Sequence, residues 1–254
     1  MDLVCFNETQ RKFKFKLKQQ YVPVPCKLKK MNAPATLIDG NTINLAWLGR
    51  LDNDKIYALI NLLDRFDAYK TNLKKKIHII GTGSSKALVD EAKYNIEFVW
   101  TSTLLNEELD DYLINNVDIL LAMGTSCLEG ANLHLPTVLL SYGLEPFQTD
   151  IYHWLFEMSD YTLGYNVKHE EMYNLFNKVS FSEVIETIYQ QNKKERYGQL
   201  CFEYSQNNHT LEVATECLMN YCNETKYRLE EPLFPKKKNV LKQVVSILLR
   251  RRKS

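Results

Sequence analysis

Two cations flank one predicted strand-to-helix turn near the start of the chain. The segment 43–55, INLAWLGRLDNDK, predicts an apolar strand, a turn at Gly49, then Arg50, a short acidic loop, and Lys55 at the start of a helix. Side chains on either side of one such turn can reach the same ligand, so the pattern indicates a site for a polyanion. A surface arginine and lysine beside an ordinary turn would give the same pattern, so these residues alone leave both interpretations open.

A second stretch, 118–140, combines a glycine loop with an acidic helix start. Its sequence DILLAMGTSCLEGANLHLPTVLL predicts a strand, a loop of Gly124, Thr125 and Ser126, and a helix whose first turn holds Glu129. Glycine lets the backbone approach a ligand closely, and the N–H groups at a helix start favour anions. An acid in the first turn also stabilises the helix dipole, so Glu129 has a purely structural interpretation as well.

The elements that must position these residues alternate between strands and helices. Apolar runs predict strands at 43–48, 77–80, 96–100, 117–123 and 137–141. Helical spacing predicts helices at 54–66, 86–94 (opened by Ser84 or Ser85), 106–115 and 126–133. Strands separated by helices of about ten residues form right-handed units around a parallel sheet. We therefore predict an α/β fold, a Rossmann-like parallel sheet with helices on both faces.

The sheet pattern weakens after residue 143. Residues 161–167 predict one more strand, and residues 181–191, 194–205 and 212–223 predict C-terminal helices. Before residue 43, residues 3–6 predict a short strand, and the prolines of residues 21–25 predict extended chain.

Polar residues follow four of the predicted strands. Arg50 follows the first strand, Gly81 and Gly83 follow the second, Trp100 and Thr101 lie at the end of the third, and residues 124–126 follow the fourth. Ligands of parallel α/β sheets bind outside the carboxyl ends of the strands. Four polar segments in register therefore favour a ligand site at this edge.

Composition excludes several classes of protein. No run of about 18 apolar residues predicts a membrane span, and the N-terminus lacks the pattern of a secretory signal. The six cysteines form no Cys-x-x-Cys pair and the five histidines show no metal spacing, which disfavours a zinc site and favours a reducing compartment. The Gly81–Gly83 loop lacks the third glycine of a dinucleotide fingerprint, so NAD binding is disfavoured.

Charge is unevenly distributed although the net charge is only +1. Residues 1–39 carry eight basic residues against three acidic ones, and residues 235–254 carry eight basic residues and no acid. The acidic body disfavours a nucleic-acid surface. The basic ends predict contact with an anionic surface, for which the inner leaflet of a membrane is the expected candidate.

Both chemically informative stretches resemble the donor-binding half of the GT-B glycosyltransferases, group 1-like. The Gly-Arg-Leu of residues 49–51 with Lys55, and the strand, Gly/Ser loop, Glu-Ala helix and proline of residues 118–140, carry the resemblance. It implies that Arg50 and Lys55 act on the diphosphate of a nucleotide sugar as catalytic residues. It also implies that Glu129 binds the ribose.

The remaining donor contacts follow from the same resemblance. Gly49, Gly81 and Gly83 are further donor-binding positions, and the backbone amides of residues 124–126 would meet a phosphate. Trp100 and Thr101 belong to the loop that lines the nucleobase. The resemblance implies no cofactor beyond the nucleotide-sugar donor and no metal for the chemistry. Cys127 is interpreted as a small buried residue because the sequence offers it no base partner.

The sequence departs from the family pattern at two positions. Many retaining members have a glutamate eight positions before the ribose glutamate, where this chain has Leu121. The usual glycine before the proline is replaced by His134-Leu135. These differences leave retention or inversion of the sugar open, along with the donor sugar, its base and the acceptor.

The resemblance divides the chain into three parts. Residues 1–42 are expected to be a remnant of an N-terminal acceptor domain with a crossover linker, residues 43–234 the donor domain, and residues 235–254 a basic amphipathic tail. On this interpretation the sequence is a truncated, naturally short or split protein. It would then bind donor but need a separate acceptor-domain chain for activity.

We therefore expect a glycosyltransferase of hexosyltransferase type that acts on a cell-surface polysaccharide or glycolipid. Its partners would be a nucleotide sugar and a saccharide or lipid-linked acceptor, without nucleic acid. Its expected location is cytoplasmic, peripheral on the inner face of the membrane. Two alternatives remain: a nucleotide-sugar-binding module that is inactive without its partner domain, and a sugar-nucleotide epimerase of the same fold.

The basic tail generates a first prediction. Seven aliphatic residues lie between the cations of residues 236–253, so a helix there would be amphipathic and could lie in a membrane interface. Since each basic group near an anionic surface contributes about 1 kcal/mol, the protein should co-sediment with anionic liposomes, less so in high salt. Zwitterionic liposomes are the control. If removal of residues 236–254 leaves co-sedimentation unchanged, the tail is not the membrane contact.

Overall fold

Five strands of the chain pair in parallel, because each connection between them carries the chain back to the same end of the sheet. The computed structural model describes residues 6–7, 9–10, 12, 21–30, 32–168 and 177–224. The strands are β1 (Thr42–Leu48), β2 (Lys74–Ile80), β3 (Glu97–Thr101), β4 (Ile119–Ala122), β5 (Thr137–Leu139) and β6 (His153–Trp154). They form one sheet in the order β3-β2-β1-β4-β5-β6, in which only β6 runs antiparallel.

This strand order is that of the doubly wound Rossmann sheet, so the predicted α/β fold class is confirmed. The order reverses between β1 and β4, whose pairing includes Trp47 opposite Leu121 and Leu48 opposite Ala122. Crossovers on the two sides of such a switch point lie on opposite faces of the sheet, which opens a crevice at the carboxyl ends of β1 and β4.

Helices cover both faces. They are α1 (Ile56–Ala68), α2 (Glu107–Asn116), α3 (Ser126–Ala131), α4 (Phe181–Ile185), α5 (Lys194–Asn208) and α6 (Leu211–Glu224). Side chains alternate along β1, so Leu45 and Trp47 pack on the face covered by α1 and α4, while Ala46 packs on the face covered by α2 and α3. The apolar run of a strand that is buried on both faces thus fills two separate cores.

The helix predicted over residues 86–94 is wrong. The structure has two single 3₁₀ turns there, Lys86–Leu88 and Glu91–Lys93, and neither contains a buried residue. Leu88 is 51% exposed, and Val89 and Tyr94 are only partly buried against the core. The segment thus lacks the fully buried apolar face that is the main source of helix stability in proteins. Ser85 does not cap a helix: its hydroxyl donates to Asn53 Oδ1 at 2.6 Å.

The strand predicted over residues 161–167 is also wrong. Only Asn166 makes an isolated bridge, to Tyr142, and Gly164 has a φ of +140° that interrupts an extended strand. The sequence analysis missed the sheet's sixth strand, which is the antiparallel two-residue β6. The helix predicted over 181–191 is α4 followed by the π-helix Glu186–Gln190, and it begins with a capping box of Ser180 and Glu183.

Contacts along the chain define two units, Met1–Leu218 and Met219–Ser254. The first contains the sheet and its helices. Of the second, the structure describes residues 219–224, which are helical. The predicted strand at residues 3–6 lies outside the described residues except for Phe6, which is helical, and the basic tail lies outside them entirely. Within the described chain, no helix combines the length and apolar character that a membrane span requires.

A buried ion pair joins the segment before β1 to both halves of the sheet. Lys194 Nζ lies 2.7 Å from Asp118 Oδ1, and both side chains are almost fully buried. Lys194 also donates to the carbonyl of Thr36 at 2.9 Å, and Asp118 Oδ1 accepts from the Ile38 amide at 2.9 Å. Asp118 Oδ2 accepts from Asn44 at 3.0 Å and from Tyr189 at 2.9 Å. The pair therefore satisfies most of its hydrogen-bonding groups inside the protein.

Removal of Lys194 should leave the Asp118 carboxylate buried and without its counter-charge. We expect Lys194→Met to lower the free energy of unfolding by about 3–5 kcal/mol, measured by urea denaturation. Lys193→Met is the matched control, since it removes the same charge one residue earlier from a partly exposed site. Equal midpoints for the two variants would contradict the assigned role of the ion pair.

Candidate functional site

Two backbone loops continue the pairing of β1 and β2 beyond the carboxyl ends of the strands. Gly49 N donates to Ile80 O at 3.1 Å, and Leu51 N donates to Thr82 O at 3.0 Å. A Cβ on Gly81 would lie 2.1 Å from the carbonyl oxygen of Gly49, and one on Gly83 would lie 2.4 Å from Leu51 O. The two loop glycines are therefore required by contact between the loops, apart from any ligand.

Arg50 lies at the tip of the first loop with its charge already paired. Its guanidinium contacts Asp52 at 3.1 Å and Asp54 at 3.2 Å, and its side chain is 63% exposed. Exposed ion pairs of this kind contribute about 0–1 kcal/mol, so a ligand phosphate could displace them at small cost. Arg50 is thus accessible to an anion but must leave two carboxylates to reach it.

Lys55 occupies a more enclosed position at the start of α1. Burial lowers the pKa of its ammonium, the charge of Arg50 lowers it further, and its interaction with Cys127 opposes the shift. Lys55 thus lies within electrostatic range of both Arg50 and the first turn of α3. Among the described residues, no hydrogen bond or ion pair to the Lys55 ammonium is present. The charges of Asp54 and Asp52 also oppose the lowering of the Lys55 pKa. A partly buried cation that forms no direct ion pair favours the approach of an anion.

The loop before α3 has its glycine in the left-handed region, as its sequence suggested. Gly124 has a φ of +66°, which turns the chain from β4 into the helix. Its amide donates to Leu163 O at 2.6 Å, so this N–H is already used inside the protein. Cys127, which follows the loop, is fully buried, and burial raises the pKa of its thiol well above the usual range. This supports the interpretation of Cys127 as a packing residue.

An open cleft of about 1010 Å³ lies beside α3. Thr125, Leu128 and Glu129 form one wall, and the chain after β3, including Leu104 and Leu109, forms another. The third wall is the extended segment 25–30, which lies outside the Rossmann elements. The cleft thus combines apolar side chains with charged groups, as small-molecule sites do.

Glu129 faces this cleft but is not free. Lys29 Nζ lies 2.5 Å from Glu129 Oε2 and also forms an ion pair with Asp110 in the first turn of α2. The Glu129 side chain is 42% exposed, whereas that of Lys29 is only 13% exposed. One lysine therefore joins two carboxylates on two helices.

The two residues predicted to line a nucleobase lie elsewhere. The ring of Trp100 stacks on Phe98 and lies under the Lys86 ammonium, 4.1 Å from the ring centroid, while its Nε1 donates to Glu91 at 2.7 Å. The carbonyl of Thr101 accepts from the Gly81 amide at 3.1 Å. Neither residue lines the cleft beside α3.

The structure therefore divides the predicted site residues into groups. Thr125 and Glu129 share the cleft, Lys55 lies within electrostatic range of Cys127 in the same helix, and Arg50 lies within electrostatic range of Lys55. Lys29 and Asp110 are site residues that the sequence does not reveal, because Lys29 belongs to a basic run and Asp110 to an ordinary acidic helix start. Among the described residues, no group of three potential metal ligands is close enough to hold an ion.

His134 explains one departure from the family pattern. It replaces the usual glycine, yet its φ is +56°, a left-handed conformation that glycine adopts without strain. The imidazole stacks on Phe202 with ring centroids 3.8 Å apart, and Nδ1 lies 3.0 Å from Gln199 Oε1. These contacts stabilise a turn that would otherwise favour glycine. The substitution thus preserves the backbone course toward β5.

Comparison with known proteins relies on structure, since no family model and no curated protein sequence matches the chain. One similar structure is TarM, with a TM-score of 0.52 and 15% identity over 85% of this chain and 41% of that one. Another is the lipopolysaccharide outer core galactosyltransferase WaaB in its apo form, with a TM-score of 0.46 and 13% identity over 79% of this chain and 54% of that one.

A third is the pneumococcal O-GlcNAc transferase GtfA in complex with UDP and GlcNAc, with a TM-score of 0.45 and 14% identity over 85% of this chain and 43% of that one. These neighbours are GT-B glycosyltransferases, and the chain has their Rossmann-like fold. It spans about half, or less, of the length of each neighbour.

The different surroundings of the two cations generate a prediction. Lys55→Met should weaken the binding of a nucleoside diphosphate by roughly 1.5–3 kcal/mol, the range for hydrogen bonds to charged groups. Arg50→Met should weaken this binding less, since Asp52 and Asp54 already compete with the ligand for the guanidinium. Isothermal titration calorimetry measures both effects. Binding of the nucleoside alone should change little in either variant. If Lys55→Met binds the nucleoside diphosphate as tightly as the parent, Lys55 does not contact the diphosphate.

Proposed function

We propose that the protein is a glycosyltransferase that uses a nucleotide-diphosphate sugar, and that its described part binds the donor. The observation that carries this proposal is the position of the cleft. It opens beside the start of α3, which follows β4, one of the two strands at the switch point of the sheet, and Glu129 lies on its wall. Lys55, which forms no ion pair with the described residues, lies within electrostatic range of Cys127 in the same helix.

The nucleoside of the donor fits the cleft beside α3. Its volume of about 1010 Å³ is at the upper end of small-molecule sites, which run from about 300 to 1,000 Å³. Leu28 and Leu105, which are 50% and 66% exposed, offer apolar surface for a base, and Glu129 offers a carboxylate for ribose hydroxyls. Four acids, Glu107, Glu108, Asp110 and Glu129, and three lysines, Lys27, Lys29 and Lys30, line the cleft. Because these charges nearly balance, the carboxylate of Glu129 and the apolar lining assign the nucleoside end of the donor to the cleft.

The diphosphate would extend from Thr125 toward Lys55. In this position Lys55, and Arg50 once released from its carboxylates, would stabilise the negative charge that develops on the departing nucleoside diphosphate. The low solvation of Lys55 strengthens that interaction because water screens it less. Both residues thus have the role of stabilising the leaving group.

The acceptor side of the reaction requires residues beyond those that form the donor cleft. We propose a hexosyl acceptor of the cell-surface polysaccharide or glycolipid type, reached at the inner face of a membrane through the basic terminal segments. The nucleophile and any general base would come from an acceptor domain. In this assignment Arg50, Lys55 and Glu129 bind and orient the donor, and no metal takes part.

A binding module that works only with a partner acceptor domain is the second candidate function. The observation that favours it is that Arg50, Lys55 and Glu129 are all assigned to the donor, so that none of them is left to activate an acceptor. Turnover by this chain alone, free of other proteins, would eliminate this candidate. Donor binding without transfer to any acceptor would support it.

Calorimetric titration with UDP-, GDP-, ADP- and CMP-sugars tests the proposal directly. One of the nucleotide sugars should bind with a stoichiometry of one, and the matching nucleoside diphosphate should compete with it. Absence of binding across the whole panel would overturn the proposed function.

The ribose contact generates a further prediction. Glu129→Gln should weaken the binding of the ribonucleotide by roughly 1.5–3 kcal/mol, because an amide offers one neutral acceptor oxygen in place of two charged ones. The parent should also bind the 2′-deoxy nucleotide more weakly than the ribonucleotide. Asp111→Asn is the matched control, since it removes one acidic charge from the exposed side of α2. If the parent binds both nucleotides with equal affinity, Glu129 does not contact the ribose and only stabilises the helix in which it lies.

A further inference from the structure

Lys29 is a charged residue in the cleft to which neither the family pattern nor the reaction assigns a role. It comes from the extended segment 21–30, ahead of β1, and not from the loops at the carboxyl ends of the strands. Its ammonium contacts Glu129 Oε2 and Asp110 Oδ1 simultaneously. The Lys29 side chain, held between two carboxylates, has lost most of its rotamer freedom. The two ion pairs must offset this loss of conformational entropy.

The backbone on either side of Lys29 is fixed to the Rossmann body. The Cys26 amide donates to His209 O at 2.7 Å, and the carbonyl of Lys27 accepts from Asn132 Nδ2 at 3.3 Å. After it, the Ala33 amide donates to Leu133 O. The partners Asn132 and Leu133 follow directly after α3, so the segment is attached to the same helix that carries Glu129.

Each carboxylate keeps one oxygen outside the contact with Lys29. In the part of the chain that the structure describes, Glu129 Oε1 and Asp110 Oδ2 make no hydrogen bond. A carboxylate has about four lone-pair sites, so Glu129 can accept from Lys29 and still accept from two hydroxyls of a ligand. Without Lys29, the acids at positions 110 and 129 would repel each other, and the Glu129 side chain would rotate toward solvent.

We propose that Lys29 is a positioning residue of the donor site, which holds the Glu129 carboxylate in the orientation that a ribose requires. This inference rests on the proposed function, because it takes a ribonucleotide as the occupant of the cleft. It extends the donor site to a segment that precedes the Rossmann fold. The discrimination between ribose and deoxyribose would then depend on a lysine that does not touch the sugar.

Three variants test the role of Lys29 in the full chain. Lys29→Met removes the charge and keeps the aliphatic stem, Lys29→Arg keeps a cation that can join two carboxylates, and Lys30→Met removes an equal charge from the next residue of the segment. Calorimetry with the nucleoside diphosphate preferred by the parent, and with its 2′-deoxy analogue, gives the affinity of each. Thermal unfolding without nucleotide confirms that each variant is folded.

We expect Lys29→Met to lose roughly tenfold or more in affinity for the ribonucleotide, the equivalent of one charged hydrogen bond. Its preference for ribose over deoxyribose should shrink, Lys29→Arg should restore most of that preference, and Lys30→Met should lose less than Lys29→Met. A role in folding alone would lower the unfolding temperature and leave the preference for ribose intact.

Two results would overturn the inference. If Lys29→Met keeps the ribose preference of the parent, Lys29 does not position Glu129. If Lys29→Met binds the ribonucleotide more tightly, the ammonium competes with the ribose for the carboxylate. Failure of the proposed function gives a different result, because the parent itself would then bind no nucleotide.

Discussion

The buried ion pair of Asp118 and Lys194 is the interaction on which the arrangement of this protein depends. Asp118 lies directly before β4, and it binds the start of α5, the amide of Ile38 and the side chain of Asn44 in β1. A buried carboxylate without these partners would be costly, so each partner must remain in place. The pair therefore fixes β1 beside β4, the two strands at the switch point of the sheet, and fixes residues 36–38 ahead of them. The third wall of the cleft is held separately, by contacts of Cys26 and Lys27 with His209 and Asn132.

The edge above the switch point is shaped by backbone contact as much as by charge. Gly81 and Gly83 leave no room for a side chain against the loop of Gly49 and Leu51, so the loop that carries Arg50 has little freedom. At the opposite edge, ahead of β5, His134 keeps a left-handed turn by stacking on Phe202 where a glycine would need no such support. Gly81 and Gly83 thus agree with the family pattern, and His134 departs from it while keeping the backbone course.

Charge at the candidate site is largely balanced within the protein before any ligand binds. Arg50 is paired with Asp52 and Asp54, and Glu129 is paired with Lys29. Lys55 is the exception among the predicted site residues that the structure describes. A bound donor would therefore replace ion pairs within the protein by its own contacts with the same side chains. Its affinity depends on the difference in free energy between the old and the new contacts. Such a site discriminates by geometry more than by total charge.

The sequence by itself determined the parallel sheet and the polar segments that follow four of its strands, because apolar periodicity and glycine positions depend on neighbours along the chain. It also identified Lys55 and Glu129, which lie beside one helix start. It failed at residues 86–94 and 161–167, where burial and pairing with distant loops decide the conformation. Lys29 lies 81 residues from Asp110 and 100 residues from Glu129. Only the tertiary structure brings these three residues together, since no local pattern links a lysine ahead of the first strand to carboxylates on two later helices.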